Sequence, residues 1–225
     1  MATHLDLEEQ EQLDQLKAFW KAYGNLITWV LTLALAAFAA FNFWNYWQRD
    51  QAAKAGAMYE ELERAVQDAD LAKAAGVFAD MKARYAGSTF TQQGGLLAAK
   101  LQFEKAQPDA AVGSLTWVAE NASEAEYKTV ARLRLAGILI DQKKYDEAVK
   151  QLDAATAKEF AALVDDRRGD LFMAQGKKDE AKAAYQKAWQ AMDPKVEYRR
   201  LIDAKLTALG AAPAVDAPKT DGAPK

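Results

Sequence analysis

The sequence predicts an all-α protein in which a single N-terminal transmembrane helix precedes a tetratricopeptide-like α-solenoid of helical hairpins. Three observations predict it. Residues 22–48 carry no charged side chain, a run of twenty-seven. The remainder is Ala-rich, with sparse Val, Ile and Thr, and nowhere sustains the period-2 alternation of a half-buried strand. Small-residue signatures recur along it at a spacing near the 34 residues of tetratricopeptide hairpins.

The first 21 residues form an acidic tail, with Asp6, Glu8, Glu9, Glu11 and Asp14 against Lys17 and Lys21. The uncharged run follows, and about 20 predominantly apolar residues suffice to cross a bilayer core. A cleavable signal peptide has a basic start and an apolar stretch of roughly 7–15 residues. Here the start is acidic, the stretch is longer, and the small-x-small triplet Ala37-Phe38-Ala39 lies mid-run. Trp20 and Tyr23 precede the run's apolar centre, which holds Trp29, and Trp44, Tyr46 and Trp47 close it. Aromatic rings with a polar edge gather at both membrane–water interfaces, so these read as two belts. The expectation is an uncleaved anchor over residues 22–48; a buried core helix is the alternative. Orientation stays open, because Lys17 and Lys21 on one side balance Arg49, Lys54 and Arg64 on the other.

From Arg49 a helix is expected to continue to Gln67, the start of a helical domain over residues 49–210. Breaks fall at Asp68–Asp70, Ala86–Ser88, Gln107–Asp109, Asn121–Glu124, Gln142–Lys144, Gln175–Lys178 and Asp193-Pro194, with Ser88 and Ser123 as N-cap candidates. Within these helices, Tyr145-Asp146-Glu147-Ala148 leads to Leu152 and Ala155, and Lys178-Asp179-Glu180-Ala181 leads to Tyr185 and Ala188. Twelve residues before each anchor alanine stands a small residue, Ala136 or Gly169, and five before stands Lys143 or Gly176. Further copies are Pro108–Ala111 with Leu115 and Val118, and Leu71–Ala74 with Phe78 and Met81. Anchor alanines 74, 111, 148 and 181 are thus 37, 37 and 33 apart. Beyond residue 210 the Pro/Ala-rich tail, 211–225, has little apolar bulk to bury and is expected to be disordered.

Charge and composition exclude several functions. The chain has 29 Lys+Arg and 32 Asp+Glu, and beyond the acidic tail each sign occurs 27 times. No basic stripe is visible, so a nucleic-acid partner is not expected. With no cysteine and one histidine, His4, zinc binding and His-based acid–base catalysis lack their usual residues. No glycine-rich phosphate loop is present. Neither cofactor, metal nor small-molecule substrate is expected, and the chain does not read as an enzyme.

In a solenoid each hairpin buries its apolar face on its neighbours, and the first helices line a concave groove. On the registers above, the groove-facing side chains are Leu96, Lys100, Phe103 and Glu104, then Val130, Leu133, Ile140 and Asp141, then Asp166, Asp170 and Met173. For the apolar members a core role is the open alternative, since inter-hairpin packing demands the same spacing. Trp117 and Trp189 on second helices suit either core or exposed patch. Arg132, Arg134, Arg167 and Arg168 read as solvated or structural.

The chain resembles the ancillary SecYEG translocon subunit family (YfgM-like) over roughly residues 13–209. The resemblance is carried by Leu16–Trp20 leading into an anchor that ends Trp44-Asn45-Tyr46-Trp47. Lys128–Ala136 and Phe160–Leu171 continue it, as do Gln175-Gly176-Lys177, Ala181 and Trp189. It implies a bacterial inner-membrane protein with a cytoplasmic N-terminus and a periplasmic tetratricopeptide-like domain. Its implied partners are the Sec translocon and a periplasmic prolyl-isomerase-type chaperone, and no catalytic residues are carried over. The alternative is an envelope assembly or cell-division scaffold built on the same repeats. Soluble scaffolds of that kind have a cleaved signal, so an intact N-terminus on the membrane protein would favour the first reading.

Overall fold

Nearly every segment of this Ala-rich chain satisfies its backbone hydrogen bonds within helices. The computed structural model describes residues 7–212; His4, Asp6 and the segment from 213 onward lie outside them. Among the described residues the order is α1 (Leu7–Gln67), α2 (Leu71–Tyr85), α3 (Thr89–Glu104), α4 (Pro108–Asn121), α5 (Ala125–Asp141), α6 (Tyr145–Ala154), a 3-10 turn (Lys158–Phe160), α7 (Ala161–Ala174), α8 (Lys178–Ala191) and α9 (Arg199–Ala208). They fall into two compact units, the first ending at Ala53 and the second beginning at Lys54.

In the first unit, α1 is long and apolar enough to cross a membrane. Its most apolar 18-residue window has a mean hydropathy of 2.0 and none of it is buried. Trp29, Trp44 and Tyr46 are 61%, 56% and 72% exposed, which removes the alternative of a buried core helix. Three polar side chains in the run bond back to their own helix. The Thr28 hydroxyl donates to the Gly24 carbonyl at 2.8 Å, Thr32 to Thr28 at 2.7 Å, and the Asn42 amide to Phe38 at 2.9 Å. Such back-bonding lowers the cost of placing these side chains in hydrocarbon. Trp44 and Trp47 lie with ring centroids 5.5 Å apart.

The second unit is a stack of hairpins: the end of α1 with α2, then α3–α4, α5–α6 and α7–α8, closed by α9. The repeat register is written in the backbone. Ala69, Ala106, Lys143 and Gly176 have φ of 54°, 57°, 59° and 78°, and each stands five residues before an anchor alanine. In every turn the next residue donates its N–H to a carbonyl five residues back: Asp70 to Ala65, Gln107 to Gln102, Lys144 to Leu139 and Lys177 to Phe172, at 2.8–2.9 Å. This closure satisfies carbonyls that a helix end would otherwise orphan. Only Gly176 adopts the left-handed backbone without steric cost; the other three accept a strain of about 1–2 kcal/mol that the turn bonds offset. The anchors Ala74, Ala111, Ala148 and Ala181 are all at most 1% exposed.

Small residues occupy the close approach between helices of a hairpin. Ala99 and Ala136 are buried, and a Cβ on Gly169 would meet the Tyr185 ring at 2.3 Å. In the first hairpin the position twelve before the anchor is Leu62, and the space comes from α3, where a Cβ on Gly94 would lie 3.0 Å from Leu62. Leu115, Leu135, Leu139 and Leu152 fill the central core, and Tyr185, Ile202 and Leu206 the last.

Two sequence expectations are corrected. Ser88 caps α3 by accepting from the Phe90 N–H at 3.3 Å, but Ser123 does not cap α5. Glu124 holds the N-cap position there without a side-chain cap bond, and its carboxylate instead accepts from the Thr89 hydroxyl at 3.1 Å. A further break, Ala155–Ala157 with the following 3-10 turn, carries no Gly, Pro or Asn to announce it. It is stabilised from a distance, the Ala157 N–H donating to the Thr129 hydroxyl at 3.2 Å.

Candidate protein-binding face

Helices α3, α5 and α7, the first helices of successive hairpins, pack side by side. Two hollows lie along the face they make. Between α3 and α5 a hollow of about 420 Å³ is lined by Ala99, Phe103, Leu115 and Ile138, with Lys100, Glu104 and Asp141 at its charged edge. It exists because Gly137 supplies no side chain; the space is roofed by Arg167, whose Nη1 would be 3.5 Å from a Cβ placed there. Between α5 and α7 a smaller hollow, about 190 Å³, is walled by Val130, Leu133, Phe160 and Leu163 and bordered by Tyr198. Arg134 and Arg167 border both, so the hollows adjoin at two guanidinium groups.

The two arginines differ in their neutralisation. Arg167 donates to the Asp170 carboxylate at 3.1 Å. Arg134 donates to the backbone carbonyl of Leu96 at 3.1 Å and, among the described residues, forms no ion pair. Although Arg134 is exposed overall, partial burial of its guanidinium lowers its pKa from the usual value. The other arginines are spent on structure. Arg132 donates to the Ala154 carbonyl, and Arg168 pairs with Asp153 at 2.9 Å and Asp165 at 3.7 Å.

The structure sorts the expected groove residues. Lys100, Phe103, Glu104 and Asp141 meet at the first hollow, and Val130 and Leu133 at the second. Leu96 is half-buried against the core and contributes its carbonyl to Arg134. Ile140 is buried between hairpins, and Met173 is 38% exposed but borders neither hollow. Asp166 and Asp170 are not groove groups. The Asp166 carboxylate, 1% exposed, accepts from the Tyr198 hydroxyl at 2.8 Å and pairs with Lys205 at 2.8 Å. Asp170 accepts from the Tyr185 hydroxyl at 2.8 Å and pairs with Lys205 at 2.7 Å. Burial, then the neighbouring carboxylates, push both phenols well above the ordinary tyrosine pKa.

The physical reason is α9. In a solenoid the positions fifteen and eight before the anchor face the following hairpin, as buried Leu133 and Ile140 do. At the last hairpin no hairpin follows, and α9 folds over Asp166, fifteen before its anchor, while Lys205 of α9 also takes Asp170, eleven before, away from the groove. The groove-facing set lies one residue along, fourteen and seven before the anchor. Arg134 and Arg167 share the first of these places, Glu104 and Asp141 the second. That recurrence of like charge at one repeat position was the available signal for both arginines. Trp117 and Trp189 resolve as packing residues. Trp117 stands edge-on to Phe78 at 5.6 Å, and the Arg199 guanidinium lies 3.8 Å over the Trp189 ring.

This repeat geometry agrees with what the chain is similar to. The family described as tetratricopeptide repeat-like domain matches residues 17–211. Among relatives, the ancillary SecYEG translocon subunit of Neisseria gonorrhoeae is 32% identical over 210 residues, 93% of this chain and all of that protein. Proteins of the same name from Haemophilus influenzae and Escherichia coli are 27% and 28% identical, over 82% and 79% of this chain and 90% and 85% of their own lengths. No solved structure matches the chain. A four-hairpin repeat domain after one membrane-length apolar helix, aligned along nearly its whole length with these relatives, places the chain in the ancillary SecYEG translocon subunit family.

Proposed function

We propose that the chain is a membrane-anchored interaction module that couples periplasmic chaperones or emerging secreted chains to the SecYEG channel. Residues 1–21 form a cytoplasmic tail, 22–48 cross the inner membrane once, 49–210 form the periplasmic repeat domain, and 211–225 a trailing tail. Its partners are the translocon and a prolyl-isomerase-type chaperone, and its role is that of a scaffold rather than an enzyme. The observation that carries this reading is the open apolar face of α3, α5 and α7. α9 covers the exposed end of the last hairpin but leaves both hollows accessible. Tethering also raises effective concentration, so a weak contact at such a face suffices near the channel.

Photo-crosslinking amino acids placed at Phe103 and Val130 in intact cells test the proposal. Adducts to translocon subunits, to a periplasmic chaperone or to a secreted chain in transit are expected. Adducts confined to cell-division or cell-wall assembly proteins would overturn it. Protease added to spheroplasts should digest residues beyond about 50 and spare the tail; protection of the repeat domain would reverse the orientation.

A further inference from the structure

We infer that the concave face takes a peptide segment carrying a carboxylate between two apolar side chains, with Arg134 as the group that receives the carboxylate. The inference rests on the proposed protein-binding role of this face and specifies its ligand.

Three observations converge. Arg134 is the boundary between the two hollows, bordering both. It is the cation of that boundary without a carboxylate partner among the described residues, whereas Arg167 is held by Asp170 and Lys100 stands 3.8 Å from Glu104. Its hydrogen bond to the Leu96 carbonyl fixes the guanidinium while using one of its five N–H donors. A carboxylate suits the remaining planar fork, since two parallel charge-assisted bonds can form. The hollows on either side offer apolar walls, Phe103 and Ile138 on one side, Leu133 and Leu163 on the other. Glu104 and Asp141 sit at the far edge of the larger hollow and oppose a multiply charged surface such as an anionic membrane. They favour a single acidic group placed at Arg134, with a neutral or basic residue toward α3.

The test uses the full chain in detergent micelles and an array of immobilised 12-residue peptides. Each peptide has two Leu or Phe residues flanking a central Glu, Gln or Lys at spacings of one to four. The wild-type chain should be retained on the best Glu peptide about tenfold more tightly than on its Gln counterpart. Arg134→Gln should remove that preference while melting as the wild type does, because the side chain is largely at the surface. Arg134→Glu should transfer the preference to the Lys peptides. Should Arg134→Gln fold poorly, Arg134→Lys supplies the reading, since it keeps the charge and loses the fork and should keep only part of the preference. Equal retention on Glu and Gln peptides overturns the inference, as does a Glu preference that survives Arg134→Gln. If Phe103→Ala weakens every peptide alike while charge makes no difference, the face binds apolar segments and only the carboxylate assignment falls. No retention on any peptide also overturns it. The proposed function is judged separately by crosslinking in cells.

Discussion

The Tyr185 ring occupies the place where a side chain on Gly169 would begin: a Cβ on Gly169 would lie 2.3 Å from Tyr185 Cε1 and 2.4 Å from Cδ1. Tyr185 cannot easily yield, because it is 3% exposed and its hydroxyl is fixed to Asp170. Gly169→Ala should therefore destabilise by roughly 1–3 kcal/mol, overpacking outweighing the gain of up to about 1 kcal/mol from replacing a helical glycine. Gly113, on α4 with nothing within 4 Å of its Cβ position, provides the opposite sign. Gly113→Ala should stabilise by about 0.5–1 kcal/mol. Thermal melts of both variants check the pair, and an unchanged transition for Gly169→Ala would show that the α7–α8 contact is looser than described.

Much of this register was legible in the sequence because it depends on local chemistry. The anchor alanines and Gly169 are dictated by how closely two helices must approach, and Lys143 and Gly176, five before their anchors, by the left-handed turn between the helices. The face of α7 was not legible in the same way. Asp166 sits at the position of Leu133, which faces a neighbour in the earlier hairpin, and α9 takes the neighbour's place; Asp170, at the position of Lys100 and Gly137 beside the larger hollow, is instead held by Tyr185 and Lys205. That contact joins residues 35 to 39 apart in sequence, and no local pattern encodes it. The break at Ala155–Ala157 was silent for a related reason, since its backbone is held by Thr129, 28 residues earlier. Arg134 and Arg167 read from sequence as solvated or structural, since two arginines on separate helices look unremarkable until the fold places both beside the same hollows.

The ion pairs around Lys205 should carry a large part of the stability of the C-terminal end. Lys205 Nζ lies 2.8 Å from Asp166 and 2.7 Å from Asp170, and the Asp166 side chain is only 1% exposed. Lys205→Met leaves a buried carboxylate with the Tyr198 hydroxyl alone, and removing one partner of a buried pair costs about 3–5 kcal/mol. Because Lys205 itself keeps some exposure, the lower end is expected. Adding Asp166→Asn should recover part of the loss. Denaturant unfolding of the two variants measures both effects; a Lys205→Met loss below the noise would mean that α9 is held by Ile202 and Leu206 alone.

Stability should fall in alkaline solution through Tyr185 and Tyr198. Both phenols have folded pKa values above the ordinary 10.0, raised first by burial and then by Asp170 and Asp166. The neutral hydroxyls are favoured in the folded state, so their contribution is fully present below pH 10. Above that the unfolded chain releases these protons while the folded chain retains them, and the contribution is lost as pH rises toward the folded values. Absorbance titration at 295 nm should show late-titrating phenols from Tyr185, Tyr198 and Tyr59, the last also raised by burial and Glu63, and one fewer in Tyr185→Phe. Complete titration of all tyrosines near pH 10 in the folded protein would contradict the buried network.

At the membrane, full-length protein should remain in the pellet after carbonate washing. None of the most apolar window of α1 is buried, and Thr28, Thr32 and Asn42 bond back to their own helix. An 18-residue window of that hydropathy prefers hydrocarbon to water along its whole circumference. Replacing Leu31 and Leu35 together by Asp should release the protein, since each charge near a bilayer centre opposes insertion by about 3 kcal/mol. Retention of this variant would indicate that the protein is held by partners rather than by lipid.

Phe103 and Met173 separate the proposed binding face from exposed apolar surface in general. Phe103 is 47% exposed on the wall of the larger hollow, while Met173 is 38% exposed and borders neither hollow. Phe103→Ala leaves the buried core intact and should shift the melting temperature little. It should weaken partner crosslinking by the equivalent of 1 kcal/mol or more, about fivefold, as loss of a bulky interface anchor does. Met173→Asp should fold and crosslink as the wild type does. A loss with Met173→Asp but not with Phe103→Ala would move the binding surface from the hollows to the end of α7, beside α9.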